Sequence, residues 1–405
     1  MREVLTPARR AMQVARREGL RGVATRAVRR AYKSLGAEAL EFPLLPGDVA
    51  DSERLRAVVP VPVAPGRAPV VGWLSTPPSL GSGGHTTMFR MIEGLEQAGV
   101  RCVLFLYDRH GGDVAEQRKV VRAGWPSVKA EVVGVEDGIR GVDACFATSW
   151  QTAHVLALRG APGVRRMYFV QDYEPYFYPR GSLYALAEDS YRFGFRTVAL
   201  GGMVAETLKQ ELGVDSDTVP FGCDSVTYRL TSTGPRTGVV FYSKPDVPRR
   251  GYAHIRLALD EFHRRHPEQE IHAYGDQVTG MTFPVTWHGR MWPEELNDLY
   301  NRTLGGIAMS FTNITLVAEE MLAAGNIPVV NDSTFARAVL DNSHVAWARP
   351  TPGALADALC GVVEADDPEG RALAAARSVE TGWDATQRAV AEVVADECGV
   401  ASADV

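Results

Sequence analysis

The chain has 405 residues, of which 45% are hydrophobic and 23% charged, and its net charge at pH 7 is −6. This balance is typical of a globular protein. No apolar run approaches the roughly 18 residues that span a membrane, and the first residues lack the apolar segment of a secretory signal.

The cysteines are far apart in the sequence and form no Cys-x-x-Cys pair, which predicts reduced, mostly buried thiols and a cytoplasmic location. They are Cys102, Cys145, Cys223, Cys360 and Cys398.

Residues 1–35 carry ten Arg or Lys residues against two Glu residues, so the remainder of the chain is acidic. Apolar residues between the arginines predict a basic amphipathic helix. Such a helix could bind an anionic membrane surface or nucleic acid, or could be a solvated cover over the domain behind it. We expect no nucleic-acid partner, and we keep peripheral contact with the inner face of the cell membrane as a hypothesis.

Proline and glycine dominate residues 36–69 and predict an irregular linker or wrapping segment. Apolar strand-like runs then alternate with helical patterns. Strands are predicted at 70–75, 100–106, 129–134, 142–147, 165–171, 196–200 and 217–221. Helices are predicted at 86–98, 113–123, 150–159, 183–192 and 202–212.

A polar segment, 227–238, suits a linker between two domains. The alternation restarts after it. Strands are predicted at 238–242, 269–274, 283–288, 305–310, 327–331 and 344–348. Helices are predicted at 252–265, 293–301, 315–324, 353–364, 369–379 and 384–396.

Such alternation predicts an α/β protein with two doubly wound, Rossmann-like domains that face each other across a cleft. We expect a basic helical extension and linker at 1–69 and a first Rossmann-like domain at 70–228. A second Rossmann-like domain is expected at 238–385, followed by a C-terminal helix and tail at 386–405.

A glycine-rich turn, STPPSLGSGGHTT (75–87), follows the first strand and opens a helix. Gly83 and Gly84 allow close backbone approach, and a helix N-terminus attracts an anion. The dinucleotide fingerprint fails because Thr86 stands at its last glycine, and no Lys-Ser/Thr pair completes a phosphate-binding P-loop. His85 is a candidate contact to a sugar or phosphate oxygen, and the alternative is a capped turn without function.

Three further motifs are predicted at the same cleft. In FYSKPDVPRRG (241–251), Lys244, Arg249 and Arg250 suit a diphosphate, unless they form an exposed basic loop. Arg290, in WHGRMWPEEL (287–296), is a candidate for the same ligand or a surface arginine. In EEMLAAGNIPVV (319–330), Glu320 is a candidate to bind ribose hydroxyls, with two solvated helix acids as the alternative.

The segment YFVQDYEPYFYP (168–179) is half aromatic. Tyr168 and Phe169 are predicted to complete a buried strand. The loop after them is interpreted as a platform where rings and acids hold a ligand, with Asp172 as base or orienter of a ligand hydroxyl. Its remaining candidate ligand contacts are Tyr173, Glu174, Tyr176 and Phe177. An aromatic clamp that packs one loop onto the domain is the alternative.

The second domain resembles that of GT-B glycosyltransferases of the large retaining class. EEMLAAGNIPVV is similar to the end of their Glu-x7-Glu signature, in which Glu320 matches the second glutamate and Thr312 replaces the first. Residues 70–390 resemble more closely the WsaF-like rhamnosyltransferase subfamily. The resemblance lies in GSGGHTT, in the aromatic motif and in the basic turn.

This resemblance implies a dTDP-β-L-rhamnose donor on the C-terminal domain and a glycan acceptor on the N-terminal domain, and the basic N-terminus favours a lipid-linked acceptor. It implies that Asp172 is the catalytic or acceptor-orienting carboxylate, that Lys244, Arg249 and Arg290 bind the diphosphate, and that configuration is retained. No Asp-x-Asp pair stands at a strand end, so we expect no metal requirement and no cofactor. A GT-B nucleotide-sugar 2-epimerase and a non-catalytic glycan-binding protein remain alternatives.

Overall fold

The computed structural model describes residues 27–28, 41–313, 315–379 and 382–401. Within these residues, no helix is both long and apolar enough to cross a membrane.

The chain divides into two compact units, Met1–Val49 and Ala50–Val405. In the first unit, Ala27 and Val28 are helical, and Pro46–Asp48 form a short 3-10 helix. Apart from that pair, the predicted basic helix at 1–35 lies outside the described residues. Both β-sheets belong to the second unit.

The first sheet has seven parallel strands in the order β3-β2-β1-β4-β5-β6-β7. The order reverses between β1 and β4, which opens a crevice at the carboxyl ends of these strands. The strands are Val70–Ser75 (β1), Arg101–Leu106 (β2), Glu131–Gly134 (β3), Ala144–Ala147 (β4), Arg165–Val170 (β5), Arg196–Leu200 (β6) and Asp217–Val219 (β7).

Helices between these strands cover the first sheet. They are Gly83–Gln97 (α1), Val114–Gly124 (α2), Trp150–Arg159 (α3), Ser182–Ser190 (α4) and Gly202–Leu212 (α5). Trp73 of β1 is fully buried at the centre of the core, where its ring stacks on Phe146 at 4.4 Å and meets the edge of Phe169 at 5.8 Å.

The second sheet has six parallel strands in the order β10-β9-β8-β11-β12-β13. These strands are Val239–Ser243 (β8), Ile271–Gly275 (β9), Thr286–Gly289 (β10), Gly305–Ile307 (β11), Ile327–Asn331 (β12) and Ala346–Ala348 (β13). Its helices are Tyr252–Arg265 (α6), Pro293–Arg302 (α7), Thr315–Ala323 (α8), Thr334–Val339 (α9), Pro352–Val363 (α10), Pro368–Arg377 (α11) and Asp384–Cys398 (α12).

The last helix, α12, packs on the first domain and not on the second. Val390 and Val394 of α12 are fully buried in the same apolar cluster as β1 and β5. Arg165 of β5 donates from Nε to the carbonyl of Glu397 at 2.8 Å. The chain therefore crosses between the domains twice, once before β8 and once before α12.

The part of the predicted wrapping segment that belongs to the second unit, residues 50–69, packs against the first domain. Ala50 donates its N–H to His154 at 3.0 Å, and Arg67 holds Asp143 through two bonds of 2.9 and 2.7 Å. The linker before β8 is irregular and is held by Asn301 of α7, which accepts from the N–H of Thr231 at 2.8 Å.

The predicted strand-and-helix alternation is confirmed across the described chain, with shifts of a few residues at element ends. The short helix α9 was not predicted. Its six residues, TFARAV, are too few for a clear apolar period, and the capping hydroxyl of Ser333 marks its start.

Candidate active site

The aromatic segment changes conformation at the end of β5. Tyr168 and Phe169 lie in the strand and are buried, as predicted. The strand ends at Val170, and Glu174–Phe177 form a 3-10 helix with Pro175 in its first turn. Asp172 therefore lies in the short turn between strand and 3-10 helix, at the carboxyl edge of the first sheet.

Asp172 is buried and is held by groups from the second domain. The hydroxyl of Thr312 donates to its Oδ2 at 2.6 Å, and the N–H of Asn313 lies 3.4 Å from both carboxylate oxygens. Burial raises the pKa of Asp172, and the bond from Thr312 and the charges of Arg249 and Arg250 oppose that rise. The carboxylate thus sits at the contact between the two domains.

The basic turn of the second domain reaches the aromatic loop of the first. The Arg249 guanidinium lies over the ring of Phe177, 4.3 Å from its centroid, and its Nη1 is 3.9 Å from Oδ2 of Asp172. Arg249 and Arg250 belong to the 3-10 helix Pro248–Arg250, before α6. The predicted donor turn and acceptor loop therefore meet in one place.

Arg250 differs from Arg249 and Lys244, which both lie close to a carboxylate partner. Its guanidinium forms no hydrogen bond or ion pair within the described part of the chain. Burial and the charge of Arg249 lower the pKa of Arg250 to about 10, so it stays protonated at neutral pH. A partly buried cation without a bonded partner is the arrangement that an anionic ligand would complete.

Lys244 and Arg290 also lie near this turn. Lys244 donates to Oδ2 of Asp276 at 2.7 Å, and this bond raises the pKa of Lys244. Arg290 is exposed in the turn after β10, close enough for its charge to oppose that rise. A diphosphate would have to compete with Asp276 for Lys244.

The glycine turn lies on the opposite side of the same contact. Ser82 caps α1, so Gly83 and Gly84 are its first two residues, whose N–H groups have no partner inside the helix. Gly81, just before the cap, has a positive φ of +79°, whereas Gly83 and Gly84 are helical. Gln171 Nε2 donates to the carbonyl of Gly84 at 3.1 Å.

His85 follows these glycines in the first turn of α1. Burial lowers its pKa to about 4, so the imidazole is neutral at neutral pH. Its Nδ1 is buried and, among the described residues, has no hydrogen-bond partner. A buried ring nitrogen without a partner is consistent with the predicted contact to a substrate oxygen.

One ring of the aromatic loop, that of Tyr173, packs inward, which corrects the expectation that it contacts an acceptor. Tyr173 is fully buried, stacks on Tyr191 with ring centroids 5.6 Å apart, and offers no face to an acceptor. Tyr176 is 38% exposed but donates its hydroxyl to Glu211 of α5 at 3.0 Å. Phe177 is the predicted acceptor ring that lies against a cation of the second domain.

Glu174 is also turned inward. Its carboxylate accepts the N–H of Trp150 at the start of α3. Burial raises the pKa of Glu174 to about 8, and the nearby Asp172 charge adds to that rise. The carboxyl therefore anchors the loop to α3, and its contact with an acceptor stays a prediction.

Glu319 and Glu320 on α8 are partly buried, and neither carboxylate accepts a hydrogen bond from the residues that the structure describes. Burial raises the pKa of Glu319 to about 7 and that of Glu320 to about 8, and the charge of Arg90 opposes the rise at Glu320. Arg90 of α1 also pairs with Asp224 in the linker at 2.8 Å. The binding of ribose hydroxyls by Glu320 stays a prediction.

Several residues of this arrangement were not predicted as site residues. They include Thr312, Asn313, Gln171 and the Arg90–Asp224 pair. The one sequence signal was Thr312, which stands where the resembling signature has a glutamate. Contacts between domains join residues about 140 positions apart, and no local pattern predicts them.

One group among the described residues could hold a metal ion, and it lies on elements other than those of the cleft contact. His266 follows α6, and Cys360 and Glu364 are at the C-terminal end of α10. His266 Nε2 already lies 2.9 Å from Glu364 Oε1. The expectation that the reaction needs no metal stays a prediction.

The chain is similar to a described protein family and to a curated protein. Residues 130–202 match the family described as WsaF, N-terminal domain. Over 342 residues the chain is 28% identical to the O-antigen biosynthesis protein RfbC of Myxococcus xanthus, covering 80% of this chain and 26% of that protein. The chain thus spans about a quarter of the length of this curated relative.

Solved structures with the same two-domain fold have low sequence identity. HepE of Anabaena, solved with UDP-glucose, has a TM-score of 0.62 at 14% identity, over 81% of this chain and 100% of that one. S. aureus TarM, solved with UDP and α-GlcNAc-glycerol, has a TM-score of 0.63 at 7% identity, over 82% and 99%. These likenesses confirm the predicted GT-B architecture.

The fold alone does not separate sugar transfer from epimerisation. A putative UDP-N-acetylglucosamine 2-epimerase from Listeria monocytogenes also matches, with a TM-score of 0.52 at 9% identity, over 82% of this chain and 98% of that one. Any choice between the two reactions must therefore rest on the site.

Proposed function

We propose that this chain, with its GT-B fold and WsaF-like N-terminal region, is a glycosyltransferase of bacterial O-antigen or related polysaccharide synthesis. The proposed donor is dTDP-β-L-rhamnose, and the acceptor is a glycan. One observation carries the proposal: a buried carboxylate, Asp172, faces Arg249 and Arg250 where the two domains meet.

The chemistry follows from that arrangement. Breaking the bond between a sugar and a diphosphate puts negative charge on the leaving group and positive charge on the sugar ring. Arg250, which has no bonded partner among the described residues, and Arg249 would neutralise the diphosphate. Asp172 would accept a hydrogen bond or proton from the attacking hydroxyl of the acceptor.

The helix α1 and the surrounding rings assist these groups. Gly83 and Gly84 place two free N–H groups at the positive end of α1, where they would bind an anionic oxygen. His85 would bond a hydroxyl of the substrate as a neutral imidazole. Phe177 would hold Arg249 in place and exclude water from the reacting bond.

A ligand panel tests donor binding. We expect dTDP to raise the melting temperature of the full chain more than UDP or GDP do, and NAD to have no effect. Arg250→Ala should abolish the shift, and Arg264→Ala, an exposed arginine of α6, should not. A shift with NAD alone, or none with any nucleotide, would contradict the proposal.

Product analysis then separates the reactions. Incubation with dTDP-β-L-rhamnose and a glycan acceptor should release dTDP and form a new glycoside. An epimerised nucleotide sugar without a glycoside would identify an epimerase, and acceptor binding without turnover would identify a glycan-binding protein. Asp172→Asn should lower turnover by about 10²–10⁴-fold, the usual contribution of a general base, and unchanged turnover would exclude that role.

Membrane contact through residues 1–35 is the remaining part of the proposal. Their ten basic residues would attract an anionic bilayer and bring the cleft near a lipid-linked acceptor. Deleting residues 2–35 should abolish sedimentation of the protein with anionic vesicles. If that association is unchanged, these residues are not the anchor.

A further inference from the structure

The loop after β11 brings no carboxylate to the cleft. In the signature that the sequence resembles, a glutamate stands eight positions before Glu320, and here that position is Thr312. The structure shows what the hydroxyl does there: it donates to Oδ2 of Asp172 at 2.6 Å. The carboxylate at this point of the cleft therefore comes from the facing domain.

Thr312 is itself held firmly. Its N–H donates to Oγ of Ser310 at 3.2 Å. Ser310 in turn exchanges two backbone bonds with the side chain of Asn331 at the end of β12, at 2.9 and 2.7 Å. Thr312 and Asp172 are both more than nine-tenths buried, with exposed fractions of 8% and 9%. The donor hydroxyl is thus fixed to the second sheet and not to the loop that carries Asp172.

Neighbouring contacts join the same two segments. Asn313 Nδ2 donates to the carbonyl of Gln171 at 3.0 Å, and its N–H lies 3.4 Å from each oxygen of Asp172. All of these bonds cross from the second domain to the turn after β5. They can form only in the arrangement of the domains seen here.

We propose that Thr312 is a positioning residue that orients the Asp172 carboxylate across the domain boundary, so that the reactive carboxylate is assembled only when the domains meet. This inference rests on the proposed function, because it assigns Asp172 its use. It goes beyond that function because it assigns Thr312, a residue without a charge in the second domain, the task of orienting the base Asp172 in the first domain.

The charged groups around Asp172 predict a pH signature. Arg249 and Arg250 face it from the second domain, Glu174 from its own loop, and the Tyr191 hydroxyl bonds its carbonyl at 3.2 Å from beyond α4. The bond from Thr312 lowers the pKa of Asp172 against burial. Without it, Asp172 should bind a proton at a higher pH, and the acidic limb of the kcat profile should move upward.

The test compares Thr312→Val, which removes the hydroxyl at nearly constant volume, with Thr312→Ser, which keeps it. We expect Thr312→Val to lower kcat about tenfold or more, the scale of one hydrogen bond to a charged group, with little change in the donor KM. Its acidic limb should shift upward, and Thr312→Ser should restore both values. Thr282→Val removes a surface hydroxyl that donates to Asp260 and serves as the control.

A second measurement does not depend on activity. In a double-mutant cycle of thermal unfolding, Thr312→Val and Asp172→Ala should be non-additive, because each removes the same bond. Additive effects, or an acidic limb that does not move in Thr312→Val, would overturn the inference. If no donor supports transfer, the proposed function fails, and the unfolding cycle still decides whether Thr312 and Asp172 are coupled.

Discussion

At the scale of single residues, the sequence placed Asp172, Arg249 and Arg250 in one cleft without showing how they are paired. Their types and positions after strand ends were sufficient for that placement. Pairing depends on which side chains approach from other elements, and the structure brings Thr312 to Asp172 and Phe177 to Arg249. The same dependence explains why the inward packing of Tyr173 and the bond from Trp150 to Glu174 were not predicted.

Glu174 gives a prediction about stability. Its folded pKa of about 8 lies above the ordinary value of 4.5, so the folded state holds a proton that the unfolded chain releases. The free energy of unfolding should therefore fall as pH rises from about 4.5 to 8, by at most about 1.4 kcal/mol per pH unit.

Glu174→Gln keeps an oxygen for the N–H of Trp150 but does not titrate. The melting temperature of the variant, relative to that of the parent, should thus be higher at pH 8.5 than at pH 5.5. Glu131→Gln, on an exposed edge position, is the control. A difference that does not change with pH would show that Glu174 is already ionised in the folded protein.

His85 gives a prediction about catalysis. Replacing it with Asn should lower kcat/KM about tenfold, the scale of one neutral hydrogen bond. The pH profile between 5.5 and 8 should keep its shape, because burial holds the pKa of His85 near 4. His110→Asn, in an exposed loop, is the control, and loss of a titration near pH 6.5 in the variant would contradict the neutral assignment.

At the scale of elements, the loop after β5 and the turn after β8 form one unit although they belong to different sheets. The ends of the strands and the turn residues Pro175, Pro248 and Gly251 can be recognised in the sequence, and they predict where both segments begin. Gly251 has φ +66°, and a Cβ there would lie 2.5 Å from Sδ of Met309, so a side chain at this position would be strained. The contact between Phe177 and Arg249 depends on how the domains meet, which local patterns do not encode.

Phe177→Leu tests that contact. Losing the ring beneath Arg249 removes about 0.5–1 kcal/mol of cation–π attraction, so we expect the donor KM to rise two- to fivefold with kcat little changed. Phe335→Leu, a half-exposed ring of α9, is the control. An unchanged KM would mean that Arg249 does not depend on the ring for its position.

At the scale of the whole molecule, two crossings of the chain join the domains and touch each other. The N–H of Gly382 donates to the carbonyl of Cys223 at 3.0 Å, and the Thr386 hydroxyl donates to the carbonyl of Pro220 at 2.8 Å. Arg90 lies over the ring of Trp383, 5.0 Å from its centroid. This junction fixes where the second domain stands when the cleft contact forms.

Gly222 is the sensitive point of the junction. A Cβ there would lie 2.4 Å from the carbonyl of Gly382 and 2.8 Å from the ring of Trp383. Gly222→Ala should therefore cost about 1–3 kcal/mol of stability, seen as a melting temperature several degrees lower. Gly202→Ala, where a Cβ meets nothing within 4 Å, is the control. Equal melting temperatures for both variants would show that the crossings can move apart freely.

The sequence by itself determined the two doubly wound domains, their strand and helix alternation, and the cluster of cations and a carboxylate at the strand ends. It could do so because burial on both faces and chain reversals leave local periodic patterns. Only the tertiary structure decided that α12 returns to the first domain, that Tyr173 of the aromatic loop packs inward, and that Thr312 holds Asp172. Those features are contacts between residues far apart in the chain, whose energy depends on shape and distance and leaves no periodic trace.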